Sequence, residues 1–219
     1  MQDQSQLNQA SQSLYHQVVS GLSYKYQGVK NLMPVTINGN GSITGLSVGG
    51  LPDGCVDTDT LANGAVTNVK HGAGSIIQVQ SGHQNQPVQL GSTTFTDITG
   101  MTVTLTNVQS GSKVYIVTNM HMSTADAGLA FRLFRGSTEI CQPSTSGIDG
   151  AMVCNIDNFN LQVPANHTFL DTTPGTGTVT YKWQWRSSSA SQTIYLNSYK
   201  GGTTNWGSTS SITAMEVKG

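Results

Sequence analysis

The dominant signal in the second half of the chain is an alternation of apolar and polar residues with a period of two. Met101, Val103 and Leu105 alternate with Thr102, Thr104 and Thr106. Val114, Ile116, Thr118, Met120 and Met122 fall on one face of the next stretch. Leu129, Phe131 and Leu133 alternate with Ala130, Arg132 and Phe134, and Val153, Ile156, Phe159 and Leu161 follow less regularly. The clearest stretch is Thr178 to Ser187. There Val179, Tyr181, Trp183 and Trp185 share one face, and Thr178, Thr180, Lys182, Gln184 and Arg186 share the other. Ile194 to Leu196 and Ile212 to Val217 close the series. Side chains on a strand point to opposite faces in turn, so each stretch predicts a half-buried strand. Ser110-Gly111, Arg135-Gly136, Pro174-Gly175 and Gly201-Gly202 punctuate the strands as turns. Many short alternating strands predict one all-β domain over residues 85–219, a sandwich or jelly roll.

The pattern changes upstream. Residues 38–84 are Gly-rich and carry a ten-residue echo. Leu51-Pro52-Asp53-Gly54-Cys55-Val56 returns as Leu61-Ala62-Asn63-Gly64-Ala65-Val66. Asp-Gly and Asn-Gly supply turns with positive φ, and Leu51, Val56, Leu61 and Val66 mark an interior. A unit this short cannot bury its own apolar side, so it needs neighbours, and three chains around a common axis would provide them. A short trimeric shaft is therefore expected, with a plain linker as the alternative. Residues 1–37 are polar and Gln-rich. Leu7, Ser11, Leu14 and Val18 follow the 4-3-4 spacing of one coiled-coil seam. Two heptads are marginal alone in water, so a polar terminus without fixed structure is the alternative. Gly21 and Gly28 would end any helix, and Pro34 opens an extended stretch through Ile37.

Composition narrows the function. Only 10% of the 219 residues are charged, and the net charge is -1. That offers no electrostatic footprint for nucleic acid or an anionic membrane surface. No apolar run of about 18 residues is present, so no membrane insertion is expected, and no basic-then-apolar leader is visible. Hydrophobic residues reach 36%, a thin core for a lone copy and one that suits shared burial between copies. The cysteines Cys55, Cys141 and Cys154 have no zinc or disulfide spacing and are expected to be free structural thiols. Cys141 with Cys154 is the one pair that merits a test for a bridge.

Candidate chemistry is sparse. The sequence holds no His-Glu-x-x-His and no phosphate-binding glycine loop. Glycan cleavage would need paired acids about 5–10 Å apart. Glu139 and Glu216 are the only glutamates, and both fall in predicted strands. Asp53, Asp57 and Asp59 cluster but lack the ligand pattern of a calcium loop, which favours solvated turn acids. No cofactor is expected. No two histidines share a metal-ligand spacing. His121 is a weak metal candidate, because three copies could meet if its face lined a three-fold axis. Asn166-His167-Thr168 reads as a surface turn. Trp183 and Trp185 read as core or subunit interface. Trp206 lies in a stretch with no strand pattern, Gly201 to Gly207, just after Tyr199 and Lys200. Aromatic rings stack on sugar faces while amides bond sugar hydroxyls. Tyr199, Lys200, Asn205 and Trp206 are thus the expected receptor or glycan contacts, with Trp206 as a plug between subunits as the alternative.

A family resemblance adds to this picture. The ending, from Phe169-Leu170-Asp171 through Thr180-Tyr181-Lys182 to Ile212-Thr213-Ala214-Met215-Glu216-Val217, resembles the C-terminal knob of bacteriophage tail-fibre and related virion proteins. It is especially similar to those of phages infecting cyanobacteria and other aquatic bacteria. Gly50-Leu51-Pro52-Asp53-Gly54 and Gly64-Ala65-Val66-Thr67 resemble the shafts that precede such knobs. The resemblance spans residues 45–219. It implies a homotrimer with a TNF-like jelly-roll head, located on a virion. Residues 1–37, with Leu7, Leu14 and Val18, would then hold the attachment to baseplate, tail or capsid proteins. The expected function is a non-enzymatic tail fibre whose knob binds a host surface glycan or protein. A capsid-bound head fibre or decoration protein is the alternative, and a glycan depolymerase trails both.

Overall fold

Strand formation follows the alternation closely in the computed structural model. It describes residues 36–37, 43–44, 56, 61–124, 127–144, 150–156, 161–199 and 207–219. The chain divides into two units, residues 1–65 and 66–219. In the first, β1 (Thr36–Ile37) and β2 (Ile43–Thr44) pair antiparallel. Leu7, Leu14, Val18, Leu51 and the acids Asp53, Asp57 and Asp59 lie outside the described residues. Val56 and Leu61 are exposed in the single chain, as is Val66 at the start of the second unit.

The second unit opens with a 3-10 turn, Asn68–Lys70. Eleven strands follow: β3 (Ile76–Gln84), β4 (Val88–Leu90), β5 (Thr96–Val108), β6 (Lys113–Thr124), β7 (Ala127–Arg135), β8 (Thr138–Ile140), β9 (Met152–Ile156), β10 (Val163–Asp171), β11 (Gly177–Ser187), β12 (Ile194–Leu196) and β13 (Ser210–Val217). They build two antiparallel sheets. In the six-stranded sheet, β10 and β13 flank β6; β12 continues the lane of β13 beside β6, and β3 and β4 share the outer lane. In the five-stranded sheet the order runs β5, β11, β7, with β8 and β9 sharing the last lane. Four lanes face four lanes with crossing connections, which is a jelly roll. The protein is mainly β, as the alternation predicted.

The two inner faces form one core. Met101, Val103, Leu105, Val114, Ile116, Met120, Met122, Leu129, Phe131, Leu133, Tyr181, Trp183 and Trp185 are all buried in it. Trp183 stays satisfied there because its indole N–H donates to Thr118 Oγ1 at 2.9 Å. This explains why Thr118 occupies an inward position among apolar residues. Two phase slips interrupt the alternation in β5, one between Leu105 and Val108, where Asn107 stands at φ 55°, and one earlier in the strand. Ile98 and Met101 are both buried although they stand three positions apart, an odd spacing. Gly100, at φ 81°, sits between them where the β5–β11 register shifts, so a bulge resets the phase.

The sandwich begins upstream of residue 85. β3 pairs with β13 along its length, so residues 76–84 belong to the jelly roll and not to a shaft. Its inward positions are Gln78, Gln80, Gly82 and Gln84, because they pair with the inward Glu216, Ala214, Ile212 and Ser210. Such a strand carries no apolar face to read. The physical reason is that β3 meets the backbone of β5 rather than the core. Gln78 bonds both backbone groups of Thr106, its Nε2 donating at 2.8 Å and its Oε1 accepting at 3.0 Å. Gln84 Nε2 donates to the Thr99 carbonyl at 2.9 Å. Between them a Cβ on Gly82 would stand 2.0 Å from the Thr102 carbonyl oxygen, so only glycine lets the two backbones approach. A second correction concerns Asn166-His167-Thr168. These residues lie within β10, not in a turn, and His167 points inward against Trp183.

Candidate functional site

The outer faces of the two sheets differ in chemistry. On the six-stranded sheet, strand register places side chains in rows. Val79, Met215, Tyr115 and Leu170 form an apolar row across four strands. Val79 is 53% exposed, Leu170 43% and Tyr115 38%. The next row is Ser81, Thr213, Val117 and Thr168, and the one beyond it His83, Ser211, Asn119 and Asn166. Among the described residues of these rows no acid or fixed cation appears; Lys113 stands at the sheet's end beside Val217.

The five-stranded sheet carries charge on its outer face instead. Lys182 Nζ donates to Asp97 at 2.8 Å, and Gln184 donates to the other Asp97 oxygen at 2.7 Å. These bonds hold the Asp97 carboxyl below its usual range. Arg132 pairs with Glu139 at 3.2 Å. The guanidiniums of Arg132 and Arg186 lie 4.1 and 5.1 Å from the Phe95 ring centroid. A charged face of this kind gains from water, because burying its ions costs several kcal/mol each unless they are well paired. The uncharged face loses nothing of that kind when covered. Interface centres are depleted in charge and enriched in Tyr and Met for the same reason.

A polar knot lies beside Tyr199 and Ser208. Asn197 is fully buried and left-handed, at φ 63°, a conformation that Asn tolerates. Its Nδ2 donates to the carbonyls of Gln84 and Gln86, and its Oδ1 accepts from Ser210 Oγ at 2.6 Å. Its backbone N–H donates to the His121 carbonyl, and its carbonyl accepts from the Ser208 N–H. Asn197 and Ser208 are therefore tied together. Of the expected contacts, Tyr199 is half-buried, while Lys200, Asn205 and Trp206 lie outside the described residues. His121 joins the knot. Its Nδ1 donates to the Thr209 carbonyl at 3.1 Å and its backbone N–H donates to Ser210 Oγ. No group of three or more metal-ligating side chains occurs among the described residues.

Two buried polar clusters complete the inventory. Cys141 and Cys154 are free thiols. Cys141, at φ 59°, places Sγ 3.6 Å from His167 Nε2. Burial pushes the thiol's pKa up and the imidazole's down, so both partners are neutral and no thiolate–imidazolium pair forms. At the other end of β10, Asp171 accepts from Arg135 Nη1 through both carboxylate oxygens at 2.8 Å, and from the Tyr181 hydroxyl at 2.8 Å. Burial, then Asp171, pushes the Tyr181 hydroxyl well above its ordinary value of 10.0.

Sequence reasoning did not single out Val79, Tyr115, Leu170 or Asn197. Tyr115 and Leu170 are apolar residues at polar-phase positions, which is a signal available once the strand register is known. Asn197 follows Leu196 directly and looks like an ordinary turn residue. No protein-family model matches the chain, and no curated protein matches it significantly.

Proposed function

We propose that this chain is a structural virion fibre protein, a phage tail fibre, whose jelly-roll knob assembles as a homotrimer and presents its loops to a host surface. The observation that carries this is the partition of charge between the two sheet faces. The uncharged face, with Val79, Tyr115, Leu170 and Met215 across it, is the surface that further copies of the chain would cover. The charged face of the five-stranded sheet would remain in water. Exposed Val56, Leu61 and Val66 fit the same assembly, since a shaft would bury them between chains. Residues 1–37 would dock on the tail, and the loop around Trp206 would meet a host glycan or protein. Three equivalent weak sites would raise overall affinity by about 10²–10⁴ where geometry permits simultaneous contact.

Light scattering on the purified chain tests the assembly. The expected mass is that of three chains of 23.1 kDa. Tyr115→Arg places an unpaired cation in the centre of the face and is expected to yield folded monomers. A wild-type monomer, or a Tyr115→Arg trimer of unchanged stability, would refute the assignment of this face. Labelling residue 1 and locating the label on intact virions tests the tail attachment; a label on the capsid faces sinks it.

A further inference from the structure

The 3-10 turn Asn68–Lys70 ends in carbonyls that its own short hydrogen-bond ladder leaves without donors, and the negative end of its dipole lies there. Lys218, about 150 residues away in sequence, fills that end. Its ammonium donates to the carbonyls of Asn68 at 3.0 Å, Val69 at 2.9 Å and His71 at 2.6 Å. An ammonium has three N–H donors, and all three are used. Two backbone bonds reinforce the contact. The Gly74 N–H donates to the Lys218 carbonyl at 2.7 Å, and the Lys218 N–H donates to the Ser75 carbonyl at 2.9 Å. The segment held in this way is poor in other anchors. Val66 and Val69 are exposed, at 54% and 77%, and no residue of the turn is buried.

We infer that residues 66–75 form a strap latched to the sandwich by Lys218, and that the latch opens as a local unit without unfolding the jelly roll. The asymmetry of anchoring requires this. From Ile76 the chain is held by continuous strand pairing, β3 against β13 along its length, and through β13 and β6 by the buried core, whereas among the described contacts the strap is held by a single side chain and the two backbone bonds beside it. Local opening free energies follow that difference in buried apolar contact. The strap is also the stretch through which the upstream chain enters the sandwich, so the latch decides whether that entry point is fixed or free.

Lys70 is exposed in the strap and offers trypsin a target that reports on its opening. Wild-type chain and Lys218→Gln are digested under native conditions, with Lys113→Gln, an exposed lysine on β6, as the control. Glutamine keeps a donor but loses the charge and two of the three bonds. Cleavage after Lys70 is expected to accelerate by about 10- to 100-fold in Lys218→Gln, with cuts after Lys113 and Arg135 unchanged. Equal cleavage after Lys70 in both proteins overturns the latch, and acceleration at every site overturns its local character. If Lys218→Gln does not fold, hydrogen exchange on the wild type decides. The amides of Gly74 and Lys218 should exchange together, slower than a free chain and faster than Ile116 in the core. Exchange at the free-chain rate, or only with Ile116, overturns the inference.

Discussion

The buried cluster at Asp171 permits a prediction with a worked magnitude. Its carboxylate is 5% exposed and accepts from Arg135 through both oxygens, from the Tyr181 hydroxyl and from the Thr173 N–H at 3.1 Å. Asp171→Ala removes all of these at once. The Tyr181 side chain is fully buried, so its hydroxyl is left without a partner. Arg135 is 25% exposed and can recover part of its solvation from water. Breaking a buried pair on one side costs about 3–5 kcal/mol, and the exposure of Arg135 argues for the lower end, about 3 kcal/mol. Tyr181→Phe removes one hydrogen bond to a charged group, worth about 1.5–3 kcal/mol. Asp171 keeps Arg135 in that variant, so about 1.5 kcal/mol is expected. The double variant should cost less than the sum, because phenylalanine removes the hydroxyl that Asp171→Ala orphans. A coupling of about 1 kcal/mol follows. For a folded unit of residues 66–219, each kcal/mol moves the melting midpoint by about 2–4 °C. Asp171→Ala should therefore lower the midpoint by about 6–12 °C, and Tyr181→Phe by about 3–6 °C. Urea denaturation of the four proteins at one fixed concentration measures the cycle. Additive costs would show that Tyr181 does not bond Asp171, and a loss below about 1 kcal/mol in Asp171→Ala would show that the carboxylate is not buried among these partners.

Four further outcomes are expected. The Tyr181 pKa is raised in the fold, first by burial, so the folded state holds its proton more tightly than the unfolded state. That stability is full below pH 10.0 and falls as pH rises above it, by up to about 1.4 kcal/mol per unit, and Tyr181→Phe should flatten this limb in alkaline urea titrations. The His167 pKa is lowered by burial, so its contribution is present above pH 6.5 and is lost as pH falls through the depressed folded value; His167→Gln should remove that acid dependence. Gly82→Ala drives a methyl onto the Thr102 carbonyl and should destabilise by about 3 kcal/mol or more, whereas Gly111→Ala meets no atom and should cost only the roughly 1–2 kcal/mol of a left-handed residue, both read by thermal melting. Trp206→Ala should weaken binding to host cells in a pull-down while leaving the assembly mass unchanged; loss of the assembly instead would make Trp206 a subunit plug.

How far the fold was legible depended on what each strand faces. β6, β7 and β11 face the core with one side and water with the other, so period two appears in their sequences and the inward residues were read correctly. Trp183 and Trp185, which the alternation assigned to core or subunit interface, are core residues. β3 was not legible because its inward side meets another backbone. Gln78, Gln80, Gly82 and Gln84 are what such a corner requires, and they look like a polar linker. β10 was obscured differently. Its inward residues include His167, whose Nε2 meets Cys141 Sγ while its Nδ1 has no hydrogen-bond partner, and Asp171, which Arg135 and Tyr181 satisfy, so polar identities stand at inward positions. Turn chemistry at Gly111 and Gly136 was read correctly because positive φ leaves few alternatives.

The candidate site was less legible for a reason that concerns rows rather than residues. Leu170 beside Asp171, or Val79 beside Gln80, carries no message in sequence, since single exposed apolar side chains are common on any protein surface. Their meaning arises when register aligns Val79 with Met215, Met215 with Tyr115 and Tyr115 with Leu170, joining segments that lie as far as 136 residues apart in sequence. Low overall charge suited shared burial between copies but gave no surface for it. Strand pairing shows which outer face is poor in charge: among the described residues Asp97, Arg132, Glu139, Lys182 and Arg186 stand on the opposite sheet, while Asp171 and Glu216 are buried and Lys113 stands at the sheet's end. A solitary jelly roll has no physical need to sort its charges in this way, since both outer faces would then meet the same water. Sorting becomes useful when one face is desolvated, where each unpaired ion would cost several kcal/mol and each covered apolar side chain about 1.5–3 kcal/mol in favour. The same sorting predicts that Tyr115→Arg is harmful to assembly while a charge added at Thr104, on the face already bearing ions, is not.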